Sequence, residues 1–305
     1  HKLTLVAFFA WVGLGADGLS SSCYGPEEAF RALAQYPYLS IFIALGTAIT
    51  IFIISASYSQ IIELFPTGGG GYLVASKLLS PNIGMVAGCS LLIDYVLTIT
   101  ISIASGVDAI YSFLPIEWAG TKLIVGIFGV GLLIVLNLRG VKESVTVLLP
   151  IFMIFVVTHV AAIIYIFIAH LGEVPEVAAK TMTDFSNAQS NLGLWGTVVL
   201  MLRAYSMGAG TYTGIEAVSN AMPILREPRV ETAKSTMRYM AVSLAFVAVG
   251  LMIAYALFNV HHVPGKTLNA VLFEKLTENW GSTIGYSTVL VVLISEAVLL
   301  FIAAQ

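Results

Sequence analysis

Hydrophobic residues gather along this chain into eight stretches, separated by short polar segments rich in proline and glycine. An α-helix crosses a bilayer with roughly 20 mainly apolar residues, and each stretch meets or approaches that length. They run from Leu3 to Leu33, Tyr38 to Phe65, Ile83 to Phe113, Lys122 to Leu138, Val145 to His170, Leu194 to Met222, Ala233 to Val260 and Ile284 to Ala304. Between them, Pro37, the Pro66 to Gly71 run, Pro115, Arg139 with Gly140, Pro175, Pro223 with Pro228, and His261 to Gly265 read as loops.

Two of the eight are interrupted. The first carries Gly-Ala-Asp-Gly-Leu-Ser-Ser-Ser-Cys-Tyr-Gly-Pro-Glu-Glu from Gly15 to Glu28, and the sixth carries Ser-Met-Gly-Ala-Gly-Thr-Tyr-Thr-Gly-Ile-Glu from Ser206 to Glu216. Broken backbone at membrane depth survives only where it is buried in protein or lines a cavity. A matching pair of breaks, one in each half of a chain, points to a transporter's substrate site. The two breaks also echo each other, because Tyr24-Gly25-Pro26-Glu27 lies on Thr213-Gly214-Ile215-Glu216 with Gly25 on Gly214 and Glu27 on Glu216. An interval of five spans turns the second copy upside down in the membrane, as an inverted repeat requires. The expectation is one transmembrane domain over residues 1–305, with a first repeat at 3–170 and an incomplete second repeat at 194–305.

Composition agrees with an all-α membrane protein: 58% of residues are apolar and 10% charged, against roughly a quarter charged in soluble domains. A net charge of -3 without clustered basic residues argues against nucleic-acid binding. Cys23 and Cys89 lie in apolar segments without metal-ligand spacing and read as small buried residues. The stretch from Leu3 to Ala16 resembles the core of a signal peptide, but Asp17 comes too soon and no small-residue cleavage pattern follows. His1 in place of methionine, and an apolar helix running to Gln305, suggest a piece of a longer protein.

Lys2, Lys77, Arg139, Lys142, Arg226, Arg229, Lys234 and Arg238 fall in loops on one side, whereas Arg31, Lys122, Lys180, Lys266 and Lys275 fall on the other. The basic excess places the amino terminus in the cytoplasm of a multi-pass plasma-membrane protein.

An ionisable side chain in a span costs roughly 2.5 to 3.5 kcal/mol on insertion scales, so each one is a functional candidate. Asp17, Asp94, Asp108, Arg203, Glu216 and Glu296 qualify by position. Asp108 and Glu296 are near span ends and read as reaching the interface. Arg203, about two turns before the sixth-span break, reads as a structural counter-charge for a buried carboxylate. On the third span Asp94, Thr98, Ser102 and Ser105 share one helical sector bordered by Tyr95, an oxygen-lined stripe. Carboxylates, hydroxyls and unwound carbonyls suit a hard cation, while half-helix amino termini suit an anionic group, so either ligand remains open from the residues alone. His159 reads as bonded to a neighbouring helix, and the adjacent His261 and His262 receive no role. The Gly68 to Gly71 run is not a phosphate loop, because Tyr72 stands where Lys and Ser/Thr are required; it reads as a flexible turn.

The segment Pro66-Thr67-Gly68-Gly69-Gly70-Gly71-Tyr72 resembles a signature of the amino acid, polyamine and organocation (APC) transporter superfamily. Within it, Asp17-Gly18-Leu19-Ser20-Ser21-Ser22-Cys23-Tyr24-Gly25, Asp94-Tyr95-Val96-Leu97-Thr98, Asn137-Leu138-Arg139-Gly140 and Thr213-Gly214-Ile215-Glu216-Ala217 look like the KimA-type potassium transporters, relatives of the KUP family. The resemblance implies a LeuT-like fold with a 5+5 inverted repeat, its second repeat truncated, and helices 1 and 6 interrupted. It implies proton-coupled potassium uptake with no cofactor beyond the transported ions. Asp17, Tyr24, Asp94, Tyr95, Thr98, Ser102 and Thr213 match the ion-path motifs, with potassium at Asp17, Tyr24, Asp94 and Thr213, and Glu216 matches a proton-coupling acid. Cys23 and Pro26 depart from the family pattern, and the last core helices are lacking.

The expected function is therefore secondary active transport by alternating access, not enzymatic catalysis. The partners are a small ion or molecule and the lipid bilayer, with a homodimer open. One alternative is a proton-coupled amino acid permease, though Asp17 at the first break would oppose a substrate carboxylate. A distant alternative is an intramembrane aspartyl protease pairing Asp17 with Asp94, a design with no place for an inverted repeat.

Overall fold

The computed structural model describes residues 5–138 and 145–304. Lys2, Arg139, Gly140, Lys142 and Gln305, used in the orientation, motif and terminus readings, lie outside them. The described chain is helical: α1 (Ala7–Ser20), α2 (Gly25–Ala32), α3 (Ser40–Leu64), α4 (Gly70–Val74), α5 (Pro81–Tyr111), α6 (Lys122–Leu138), α7 (Val145–Ala169), α8 (Val174–Met207), α9 (Ala217–Asn220), α10 (Arg229–Leu257), α11 (Leu268–Thr277) and α12 (Ser282–Ala303). Seven helical segments among the described residues are long and apolar enough to cross a membrane. The α1–α2 pair, broken into two short pieces, makes the eighth predicted span.

Helix α10 is buried on almost every side, packed against α3, α1 and α7. Its apolar surface continues into the main core, where Leu19, Phe152, Ile163, Leu251, Tyr255, Phe273 and Leu293 meet. By contrast, α5 and α6 turn Leu92, Ile93, Val96, Leu123, Ile124 and Phe128 outward, fully or largely exposed. An apolar outer surface of this kind is stable against lipid or further protein and not against water.

Two helices depart from the hydropathy reading. Helix α8 begins about 20 residues before the predicted sixth span, and Gly193 (φ 71°, ψ 170°) divides it. The part after Gly193 is the predicted span, and the part before it is an exposed helix carrying the Glu176–Lys180 ion pair (2.7 Å). That exposed part is tied to the chain ahead of α3: Asp184 accepts from the Tyr38 backbone N–H (3.0 Å) and Asn191 donates to the Tyr36 hydroxyl (3.1 Å). Helix α11 lies in what hydropathy makes a loop, yet most of its residues are buried. It is too short to be a span and too apolar to be a solvated loop, so it folds down onto the bundle, with the Thr267 hydroxyl capping its first turn by accepting from Ala270 N–H (3.1 Å).

The Gly68 to Gly71 run forms a turn whose backbone lies against Asn220, at the end of α9. The glycines permit close packing of the turn on the sixth-span break. The expectation for Arg203 is corrected. That residue is exposed and enters no ion pair among the described residues, so no buried carboxylate uses it.

Candidate functional site

The first break begins one turn after Asp17. Helix α1 stays regular through Ser20, a 3-10 turn covers Ser21–Cys23, and α2 restarts at Gly25. Three consecutive hydroxyls serve the carbonyls that such a break strands: Ser20 and Ser22 donate back to the Asp17 and Leu19 oxygens (2.7 Å each), and the single Ser21 hydrogen is shared between the Gly18 oxygen (2.5 Å) and the Thr211 oxygen of the second break (2.8 Å). The run of three serines is thus the local device that lets a helix stop inside a membrane. The second break follows the same course: α8 ends at Met207, a 3-10 turn covers Gly208–Tyr212, and α9 begins at Ala217.

The breaks hold each other reciprocally. A Cβ on Gly25 would lie 2.0 Å from the Thr211 hydroxyl, and one on Gly214 would lie 2.7 Å from the Gly18 nitrogen and 2.8 Å from an Asp17 carboxylate oxygen. Gly214 also has φ +82°, a conformation that glycine adopts at no steric cost. Ahead of α1, Leu5 joins the same assembly by exchanging backbone bonds with Ile224 and Arg226 (3.1 and 3.0 Å).

Donor bookkeeping sets the chemistry where the breaks meet. The Thr213 hydroxyl donates its hydrogen to the Gly210 carbonyl (2.9 Å), so the Tyr24 hydroxyl, 3.1 Å away, must donate to Thr213. The lone pairs of the Tyr24 oxygen stay available to a cation. The Ser102 hydroxyl approaches Tyr24 from α5 without meeting hydrogen-bond geometry, and it is buried with no partner among the described residues. One carboxylate oxygen of Asp17 and one of Glu216 are likewise buried and unpaired, as is the Thr211 hydroxyl. A buried unmatched polar oxygen costs about 1–3 kcal/mol, which makes these four oxygens the candidate ligand positions.

On α5, Thr98 and Ser102 are buried while Asp94 is half-buried, which places the predicted stripe inward. Asp94 and Glu216 line one open cavity of about 320 Å³ together with Tyr58, Tyr72, Ser90 and Asn220. Tyr95 sits at its rim and accepts from the Asn220 amide (3.2 Å). The predicted residues therefore fall into two groups: Asp17, Tyr24, Ser102 and Thr213 deep at the breaks, with Thr98 on the same inward stripe of α5, and Asp94, Tyr95 and Glu216 at a mouth. A larger cavity, about 580 Å³, opens elsewhere, between the end of α5 and α11–α12, and touches none of them.

The ionisable side chains of this region, Asp17, Asp94 and Glu216, are all acidic. None of the three enters an ion pair among the described residues. Among the described residues no three His, Cys, Asp or Glu side chains converge as a metal centre would need. The oxygens available are a mixed set of carboxylate, phenol and hydroxyl.

The sequence misplaced Glu296, passed over Glu27 as a buried acid and located Asp108. Glu296 does not reach the interface: it is 1% exposed and bonds His159 and Asn269. Glu27 is also buried and accepts from the Leu268 N–H (3.0 Å). Asp108 does lie at the surface, paired with Lys122 (2.7 Å).

The family model described as "Amino acid permease" matches residues 5–305. The chain is also similar to the "Potassium transporter KimA" of Bacillus subtilis (strain 168), with 33% identity over 291 residues, covering 94% of this chain and 46% of that protein. The chain thus spans less than half the length of the relative it matches.

Proposed function

We propose, from the premise that this chain belongs to the amino acid permease family, that it forms the ion-binding part of a proton-coupled potassium importer working by alternating access. The observation that carries the reading is the set of buried oxygens without a partner at the breaks, on Asp17, Glu216, Ser102 and Thr211, together with the lack of a basic partner for Asp17, Asp94 or Glu216 among the described residues. A buried carboxylate without a basic partner needs a compensating cation or a bound proton. A monovalent cation of modest geometric demand suits phenol, hydroxyl and carboxylate oxygens. In this reading Tyr24, Thr213 and Ser102 replace part of the hydration shell, Asp17 supplies the counter-charge, and Asp94 with Tyr95 and Thr98 lines the path. Glu216, at the mouth and just after the glycine-rich break, binds and releases the coupling proton.

The similarity to a potassium transporter supports the choice of cation. The reciprocal contacts of Gly25 and Gly214 support a relation between the breaks of the inverted-repeat kind, with repeats at 3–170 and 194–305. The basic residues on one side support an amino terminus in the cytoplasm of a plasma-membrane protein.

An amino acid permease is the second reading, favoured by the family description. A zwitterionic substrate brings a carboxylate that Asp17 would repel. The family description supports a transporter over the protease reading. Uptake by the full-length chain in a potassium-import-deficient cell, run with potassium and with radiolabelled amino acids, decides between them. Potassium accumulation that depends on the proton gradient is the expected result; amino acid uptake without potassium uptake overturns the proposal.

A further inference from the structure

Apart from the two breaks, the interior holds a second titratable cluster where α7, α12, α10 and α11 meet. His159 on α7 and Glu296 on α12 are both buried, with His159 Nε2 2.9 Å from Glu296 Oε1. Glu296 Oε1 also accepts from the Asn269 amide (3.1 Å), and the Asn269 carbonyl oxygen accepts from the Tyr255 hydroxyl. The other ring nitrogen, Nδ1, lies 2.8 Å from the Phe155 carbonyl oxygen.

A carbonyl only accepts, so the Phe155 contact requires a hydrogen on Nδ1. A neutral imidazole has one N–H, and here Nδ1 takes it. The remaining lone pair on Nε2 would then face a carboxylate at hydrogen-bond distance, which is repulsive unless one more proton lies between them. With that proton the pair is imidazolium and carboxylate, or imidazole and carboxylic acid, and its net charge is zero; without it the net charge is -1. The competing assignment, a neutral ring with its hydrogen on Nε2, sets the Nδ1 lone pair against the Phe155 oxygen and leaves it only the Thr158 hydroxyl, 3.4 Å away, whose hydrogen has closer acceptors in the Ile154 and Phe155 carbonyls (2.8 and 3.0 Å).

We propose that His159 and Glu296 form a proton-binding site in the interior, distinct from Glu216. Helix α11 covers both partners: Asn269 bonds Glu296, and the Phe273 ring lies edge-on to the imidazole with centroids 5.3 Å apart. Removing the proton leaves a net negative charge buried beneath this helix, which the apolar core holds in place through Leu268, Val271, Leu272 and Leu276. Its first residue is gripped separately by Glu27 of α2 through Leu268 N–H.

The surrounding groups do not replace the proton. Glu27 of α2, Tyr255 of α10 and Cys23 of the first break are within electrostatic reach of Glu296, and none is cationic. Arg31 is turned to Glu27 and Glu28. On α5, which packs along α12, Asp108 is engaged with Lys122 at the surface. On α11 itself, Glu274 binds Lys266, and Lys275 donates to the Phe258 and Asn259 carbonyls. From α1, Trp11 donates to Ser243 and carries no charge.

The test uses the full-length chain in lipid nanodiscs with ¹⁵N-labelled histidine rings, the His159→Gln protein identifying the His159 signals. We expect a protonated Nδ1 with a second proton at or shared by Nε2 at acidic pH, and loss of that second proton as pH rises. Glu296→Gln offers an N–H to Nε2 without titrating, so in that protein Nε2 should stay unprotonated over the same pH interval. An unprotonated Nδ1, no second proton at acidic pH, or a second proton that titrates in Glu296→Gln as it does in the unmodified protein overturns the proposal. The ring-nitrogen measurement on the unmodified protein decides the proton count even if the variant fails to fold.

Discussion

The Tyr24 hydroxyl lies 3.1 Å from the Thr213 hydroxyl, one from each broken helix, and the direction of that bond leaves the phenol oxygen as an acceptor. The two breaks therefore present an oxygen to the space between them at the cost of a single shared hydrogen.

Tyr24→Phe and Thr213→Ala separate a structural bond from an ion ligand. Loss of an ordinary hydrogen bond is worth about 1 kcal/mol, or about fivefold in an equilibrium constant. If these oxygens coordinate potassium, each variant should raise the half-saturating potassium concentration by about tenfold or more, with insertion into the membrane unchanged. Uptake kinetics at the wild-type value in both would remove these two residues from the site.

Asp94→Asn should lower uptake with less effect on deep binding, because Asp94 lines the mouth. Potassium binding measured on purified full-length protein should fall less than transport does. Equal losses in both would move Asp94 into the binding shell itself.

Glu216→Gln keeps the shape of the side chain and removes its titration. Proton-driven accumulation should be lost while potassium binding remains measurable. Accumulation with an unaltered dependence on the proton gradient would assign coupling to another acid, Asp17 or Asp94.

Gly214→Ala tests the contact between the breaks. The new Cβ would meet Gly18 and Asp17 at under 3 Å in a left-handed conformation, and strain of this type costs about 1–3 kcal/mol before the clash is counted. A lower thermal midpoint and lost uptake are expected. Arg203→Ala is the matching control: exposed and without an ion pair among the described residues, it should leave uptake within about twofold of wild type.

The hydropathy pattern made the spans legible, down to the start of the sixth at Leu194, because burial in lipid is written in composition over whole helices. The breaks were legible too, since glycines and serines in an apolar run have a local cause. What stayed hidden was long-range. Nothing near Glu296 in sequence announces His159 on α7 or Asn269 on α11, and a carboxylate close to a span end has an easy alternative in the interface. Arg203 was misread for the complementary reason: distance to a break along the chain does not say which way a helix face points. Helix α11 was missed because its burial depends on the surfaces of α10 and α12, which are assembled from distant segments.

The reciprocal packing of Gly25 on Thr211 and Gly214 on Asp17 restricts how a lineage with this architecture can change what it carries. Neither break can gain a side chain at these points without a compensating deletion in the other, so the gap between them is nearly fixed in width. If the proposed ion site is right, variation in cargo size would come from the third wall, where Thr98 and Ser102 of α5 are buried and a single methyl or hydroxyl exchange alters the room available without disturbing either half of the clasp.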